Sequence, residues 1–563
     1  MNQSPEQQQA AQPAQPRVWG NPTYEDQPIK PHDLAERLSR STGPRLEAEL
    51  SKLRGAFALA IDLKDGSKLL AVDRFGQRSV CWRVLSGLLF ADSRADRLAD
   101  LEPASDIDVQ ALYDYLLFHV IPSPRTVFSG VKRVEAGHYL IWRDGRASVA
   151  RYWHPRFDEP KSGDVAVLQK EFRSLLRTSV RRQLNDGEPA CYLSGGTDSS
   201  TVAGLIAEVS GIKPLGYSIG FEAEGYDEMF FARIAAHHFG LRHREYYVTP
   251  DDLLRSMPVV AAHYDQPFGN SSAVPAYLCA VQASQDGVAH LLAGDGGDEL
   301  FGGNARYAKQ RLFEFYGYVP GLFRSGVLEP LFLRSPASRL PIARKISSYI
   351  EQARVPMPDR LELYNLLHRL GSRTILTSHA LERMDQSDPL EQQRRVWADA
   401  QAEQWLNRTL AFDWRYTLAE SDLPKVVGSA SLAGLSVGFP LLDEDLLAFS
   451  MKLPVDFKLN GQKLRWFFKE ALRGFLPHEI ITKPKHGFGL PFGPWLIREP
   501  SLRRLTDDAL AQLVRRGVIR PDFVKSLMSE HLPSHPGYFG ELVWILTMLE
   551  LWLRKHRPAF ALQ

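Results

Sequence analysis

Cysteine is scarce in this chain: Cys81, Cys191 and Cys279 are the only three among 563 residues. Odd in number and widely spaced, they suggest neither a disulfide framework nor a zinc-ligand set, and a reducing cytoplasm suits them best. An excess of one charge is also missing. Lys and Arg number 68 against 66 Asp and Glu, a formal net charge of +2. Such a balance offers no electrostatic footprint for a nucleic-acid partner. Nor is there an apolar run of the ~20 residues that a membrane helix needs, so no membrane partner is expected. Met1 to Pro16, rich in Gln, Pro and Ala, lacks the basic and apolar blocks of a signal peptide and reads as a disordered tail. What remains is 44% hydrophobic and 24% charged, the composition of a globular protein, and its length implies at least two domains.

Residues 17–157 read mainly as strands and turns. Ala56 to Asp62 and Lys68 to Asp73 flank Lys64-Asp65-Gly66-Ser67, a hairpin signal, and a helix is expected from Asp108 to Phe118. The polar stretch from Asp158 to Asp164, interrupted by Pro160 and Gly163, reads as a linker. Over 165–563 helices alternate with short apolar strands, as in an α/β domain with a parallel sheet, and residues from Phe313 onward are mostly helical. Pro189–Leu193, Leu215–Gly220 and Ala289–Ala293 are expected to be its first, second and third strands.

The first of these strands runs into Ser194-Gly195-Gly196-Thr197-Asp198-Ser199-Ser200, and a helical pattern follows. Gly195 and Gly196 allow amide groups to turn inward together, and the hydroxyls add donors at a helix N-terminus that favours anions. Asp198 among those donors makes sense if Mg²⁺ bridges carboxylate and phosphates. A glycine turn with a serine cap would explain S-G-G alone; the full S-G-G-x-D-S-S between strand and helix is far more specific. It resembles the signature of the PP-loop ATP pyrophosphatases, which cleave ATP between the α and β phosphates. The third strand runs into Gly294-Asp295-Gly296-Gly297-Asp298-Glu299, where three acids within five residues repel one another unless a cation or proton relieves them. Asp298 is therefore expected to share Mg²⁺ with Asp198. Farther on, Lys483-Pro484-Lys485 could bring a cation to a phosphate or oxyanion.

With these pieces the chain resembles the asparagine synthetase superfamily of the class B, glutamine-dependent type. Leu53-Arg54-Gly55, Asp73-Arg74-Phe75-Gly76 and Ala136-Gly137-His138 resemble its glutaminase domain; Tyr226-Asp227-Glu228 and Ser271-Ser272-Ala273-Val274-Pro275 resemble its synthetase domain. The resemblance implies an α/β protein with an α+β N-terminal part. A degenerate Ntn-type glutaminase-like sandwich would precede a PP-loop parallel sheet with a helical C-terminal extension. It also implies adenylation of a small-molecule or peptide carboxylate by ATP, with release of pyrophosphate and transfer to an amine or ammonia. Carried over by position, Leu193, Ile219, Ala293 and Gly294 would line the nucleotide. Ser194, Gly195, Gly196, Asp198, Ser199 and Ser200 would hold pyrophosphate, and Asp198 and Asp298 would bind Mg²⁺. Asp295 stands where the family has an acid near the acyl-adenylate and incoming amine, and Lys485 where its lysine stabilises charge during adenylation. A homodimer is compatible with all of this.

Two departures qualify the resemblance. The family's glutaminase uses an N-terminal cysteine nucleophile, whereas Met1 here is followed by Asn2 and the first cysteine is Cys81, within a core-like strand. Glutamine hydrolysis is therefore expected to be lost. The family's K-V-D-R-x-S-M-A and L-E-x-R-x-P-F-L-D also become Lys425 to Leu432 and Leu435 to Asp443. Four charged positions are now Val427, Gly428, Ser436 and Gly438, a change expected to widen and neutralise the substrate pocket. The leading expectation is an amide synthetase without working glutaminase in a specialised pathway. Its rivals are a conventional asparagine synthetase, an intramolecular cyclase of the β-lactam or lasso-peptide type, a PP-loop nucleobase-modifying enzyme and a non-catalytic homologue.

Overall fold

The computed structural model describes residues 15–102, 106–334, 341–484 and 489–562. The chain forms two compact units: one takes in the chain up to Ala111 and Ile121–His154, the other Leu112–Val120 and everything from Pro155.

The first unit is built on a five-stranded antiparallel sheet in the order Arg17–Gly20, Phe57–Asp62, Lys68–Val72, His138–Arg143, Arg146–Arg151. Period-two alternation sends its side chains to opposite faces. Leu59, Ile61, Leu69 and Ala71 pack with Leu34, Leu38, Leu46 and Leu50 from helices Pro31–Leu38 and Pro44–Ser51. Ala58, Leu70, Val72 and Leu140 pack instead with Val80, Leu89 and Val134. The latter three lie in or beside a smaller sheet of Leu88–Asp92, Cys81–Leu85 and Val131–Arg133. The central hairpin turns where its sequence indicates, with Asp65 Oδ1 accepting from the Ser67 amide and hydroxyl. Asp73, 2% exposed, accepts hydrogen bonds from the amides of Phe57, Phe75, Gln77 and Arg78, fixing the chain as it leaves the hairpin. This is the α+β sandwich that the resemblance implies.

The second unit centres on a parallel sheet whose strands, in chain order, are β1 (Ala190–Tyr192), β2 (Leu215–Phe221), β3 (Arg242–Val248), β4 (His290–Leu292) and β5 (Ser436–Gly438). Their spatial order is β3-β2-β1-β4-β5. The chain thus reverses direction across the sheet between β1 and β4, leaving a crevice at the carboxyl ends of those strands. Sequence periodicity identifies β1, β2 and β4 and misses both edges, so Ala289–Ala293 marks the fourth strand and not the third. Helix Val165–Gln183 begins with Asp164 accepting from the amides of Ala166 and Val167. Its Phe172 packs among Phe301, Phe449, Phe467 and Phe468. Helix Pro536–His556 buries Trp544 and Trp552 completely.

The segment 158–164 is no loose tether at its start. The Asp158 amide donates to the Met451 carbonyl, and the Glu159 carboxylate accepts from the amides of Glu403 and Gln404 and from Asn407 Nδ2. Side-chain acceptors replace the secondary structure that its composition denies it.

Candidate functional site

The loop after β1 and the turn after β4 meet. Gly195 takes φ +68°, and a Cβ there would collide with the backbone of Phe231 and Ala232. Only glycine fits this tight passage. Gly196 then caps helix Thr197–Ser210, and Asp198 and Ser199 of its first turn line a cavity. Within the loop Ser199 Oγ lies 3.0 Å from Ser194 Oγ and 3.2 Å from the Ser194 amide. Across from it, a Cβ on Gly294 would stand 2.7 Å from the Ser199 amide nitrogen, so the two backbones touch.

These segments line a cavity of about 630 Å³. Leu193, Ser194, Asp198, Ser199, Ile219 and Gly294 form part of its wall, as do Asp295 and Asp298. Gly195, Gly196, Ser200 and Ala293 stand behind that wall; Ser200 and Ala293 are buried, and the Ala293 amide donates to the Gly438 carbonyl. Lys485 lies outside the described residues.

Asp198 and Asp298 converge on one guanidinium. Arg465, its side chain 5% exposed, donates from Nη1 and Nη2 to the two Asp198 carboxylate oxygens and from Nη2 to Asp298 Oδ1. Burial opposes the charge on Arg465, but the two carboxylates outweigh it and hold the group above its ordinary range. Gly303 leaves room for this pairing, because a Cβ there would run into both Asp298 and Arg465. Two carboxylates close enough to share one cation suit Mg²⁺, which takes one or two carboxylates and completes its shell with water and phosphate oxygens. Among the described residues no group of three or more His, Cys, Asp or Glu could hold a metal by itself.

A second polar cluster adjoins the first. Lys425 Nζ lies 3.1 Å from Asp422 Oδ1 and 3.6 Å from Asp295 Oδ1. Burial pushes the Asp295 carboxyl up, with Lys425 in opposition. Glu299 is pushed up by burial and by the nearby Asp298 and Asp422. Sequence reasoning assigns no role to Arg465, Asp422 or Lys425. Arg465 follows a short hairpin more than 150 residues beyond Asp298, and no spacing rule connects them.

The expected neutral, widened pocket is not what the fold builds. None of Val427, Gly428, Ser436 and Gly438 lies in the cavity wall, which Lys425 and Val426 reach instead. Gly428 packs on Tyr264, whose Cε1 would be 2.6 Å from any Cβ at that position. Ser436 and Gly438 belong to the edge strand β5. The wall itself is rich in carboxylates.

The asparagine synthase family model matches residues 171–554, more than half of the chain. The chain belongs to the asparagine synthase family. A glutamine amidotransferase domain model matches residues 38–153. Asparagine synthetase [glutamine-hydrolyzing] 1 of Bacillus subtilis is 24% identical over 510 residues, covering 90% of this chain and 78% of its own. A putative asparagine synthetase [glutamine-hydrolyzing] of Mycobacterium bovis is 27% identical over 472 residues, covering 79% and 68%. Amidase chyE of Penicillium rubens is 28% identical over 286 residues, covering 47% and 42%. Among solved structures, the allosteric regulatory enzyme of purine biosynthesis aligns with a TM-score of 0.18 at 13% identity, over 42% of this chain and 60% of that one, too faint a likeness to carry weight. At the level of the asparagine synthase family the chemistry is ATP-dependent amidation, the forming of carbon–nitrogen bonds. No helix among the described residues is long and apolar enough to cross a membrane.

Proposed function

We propose that this member of the asparagine synthase family is an AMP-forming amide synthetase that takes its nitrogen from an amine or ammonia and not from glutamine, in a specialised pathway. The observation that carries the reading is the meeting of the Ser194–Ser200 loop with the 294–298 turn on one cavity. The Ser194–Ser200 loop and the helix N-terminus behind it would bind the phosphates of ATP, with the base and ribose against Leu193, Ile219 and Gly294. A carboxylate oxygen of the acyl substrate attacks the α-phosphorus, the bond to the bridging oxygen breaks, and pyrophosphate leaves with the electron pair. The amine lone pair then attacks the acyl carbon, the acyl C–O bond breaks, and AMP departs. Asp295, in contact range of Lys425, would take the proton that the amine sheds. Lys485 would offset charge during adenylation. Asp198 and Asp298 would hold Mg²⁺, which when bound supplies neutralising charge for the phosphates.

The test is to supply ATP with panels of carboxylates and amines and to separate the products. AMP and pyrophosphate in equal amounts are expected. Asp198→Asn and Asp298→Asn should each slow their formation by about two orders of magnitude or more while the fold persists. Stoichiometric ADP and orthophosphate would overturn the assignment.

A further inference from the structure

We propose that the amine substrate is a diamine, which offers one nitrogen to the acyl group and anchors the other, as an ammonium ion, on Glu541 at the end wall of the cavity. The inference rests on the amide-synthetase reading above.

That end wall is well built. The helix Val109–Phe118 ends with Phe118 stacked on Tyr416 at 5.5 Å between ring centroids. The carbonyl of His119 then accepts from the Gly269 amide at 2.8 Å. Asn270 Nδ2 donates to Ser421 Oγ at 3.1 Å. Tyr115 Oη donates at 2.8 Å to the carbonyl of Ile545, one helical turn beyond Glu541. Ser421 precedes Asp422, which grips Lys425 beside Asp295. Glu541 and Asp295 line the same cavity, so a molecule reaching from one to the other would present its inner nitrogen to the proton acceptor.

Charge decides what that molecule carries. Of the carboxylates lining the cavity, Asp198 and Asp298 share Arg465, Glu228 pairs with Lys483 at 3.1 Å, and Asp295 and Asp422 share Lys425. Glu299 makes no direct ion pair but lies in the field of Arg306, Lys425 and Arg465, whereas Glu541 pairs with no cation among the described residues. Glu299 is 6% exposed and lines the cavity. Burial pushes the Glu541 carboxyl up to about 7, opposed by hydrogen bonding from Ser271. The wall thus has acceptors and surplus negative charge for an ammonium, which brings three donors and no acceptor. A substrate with a second carboxylate finds no such match. Lys425 is the only Lys or Arg among the described lining residues, and it is already engaged. The imidazole of His119 is kept neutral, pushed down to about 4 by burial.

The experiment titrates the full chain without ATP, by calorimetry, against 1,4-diaminobutane, n-butylamine and 4-aminobutanoate. The diamine is expected to bind about tenfold more tightly than butylamine, a margin suited to one desolvated charge pair. Glu541→Gln should reduce the margin to about threefold or less, and Glu541→Asp should retain part of it. Equal binding of diamine and butylamine, or a preference that survives Glu541→Gln, overturns the proposal. So does a Glu541-dependent preference confined to 4-aminobutanoate, which would put the ammonium on the acyl partner. If Glu541→Gln fails to fold, the comparison of amines on the unmodified chain still decides. A diamine preference without AMP formation from any carboxylate upholds the subsite and sinks the synthetase reading alone.

Discussion

Arg465 holds together the two carboxylates that the proposed chemistry would use. It sits at φ +53°, a left-handed conformation rare for arginine, at the start of helix Trp466–Ala471. Removing it leaves Asp198 and Asp298 side by side without that cation, and breaking a buried ionic cluster costs about 3–5 kcal/mol. Arg465→Ala should therefore lower stability in urea by about 3 kcal/mol. Mg²⁺ should restore part of that loss, and Na⁺ at matched ionic strength should not. Equal recovery with either salt would mean that the two aspartates do not form a divalent-cation pair. The two acids were legible because each stands in a glycine-rich turn after an apolar strand. Their arginine was not, because its partners are fixed by tertiary structure alone and its neighbours in sequence are those of any amphipathic hairpin.

Among the elements, the interior of the parallel sheet was legible and its margins were not. β1, β2 and β4 are short apolar runs next to turn signals, the pattern of strands covered on both faces. β3 reads Arg-His-Arg-Glu-Tyr-Tyr-Val, with Arg242, Arg244 and Glu245 exposed and only Val248 buried, so hydrophobic periodicity passes over it. β5 has three residues, too few for any periodicity, and pairs with β4 from the far end of a long helical insertion. The 158–164 segment shows the same limit, because its acceptors are met by residues some 245 positions away. Beside it lies Lys458, 1% exposed, donating to Asn407 Oδ1 at 2.9 Å and standing 4.9 Å from the centre of the Phe157 ring. Burial pushes its amine down to about 7, with Glu159 acting in the opposite sense. A lysine whose folded pKa lies below its unfolded value of 10.5 releases its proton on folding between those limits. Its cost is then greatest below pH 7 and fades as pH rises toward 10.5. Lys458→Met removes that titration, so the stability of the variant relative to the unmodified chain should be more favourable at pH 6 than at pH 9. A difference that does not change with pH would mean that Lys458 is charged in the folded protein.

At the scale of the whole molecule the open question is the nitrogen source, since residues 38–153 match a glutamine amidotransferase domain. Hydrolysing glutamine in the family's manner takes an accessible thiol that ionises near neutrality. All three cysteines of this chain are buried thiols outside any disulfide. Cys81 starts the strand Cys81–Leu85 with no exposed surface. In the other unit Cys191 belongs to β1, and burial pushes its thiol up to about 12; burial also raises Cys279. A thiol with no exposed surface inside a sheet cannot reach glutamine to form the thioester. The glutaminase-like unit therefore persists, on this reading, as folded structure around Asp73 and not as a source of ammonia. Isotopically labelled glutamine, incubated with the full chain with and without ATP, should yield no glutamate beyond the uncatalysed rate. Ammonia or an amine supplied to the same preparation should sustain pyrophosphate release. Glutamate formed at a rate comparable to ATP turnover, and abolished by Cys81→Ala, would show that the strand opens to expose Cys81 and that glutamine is the donor after all.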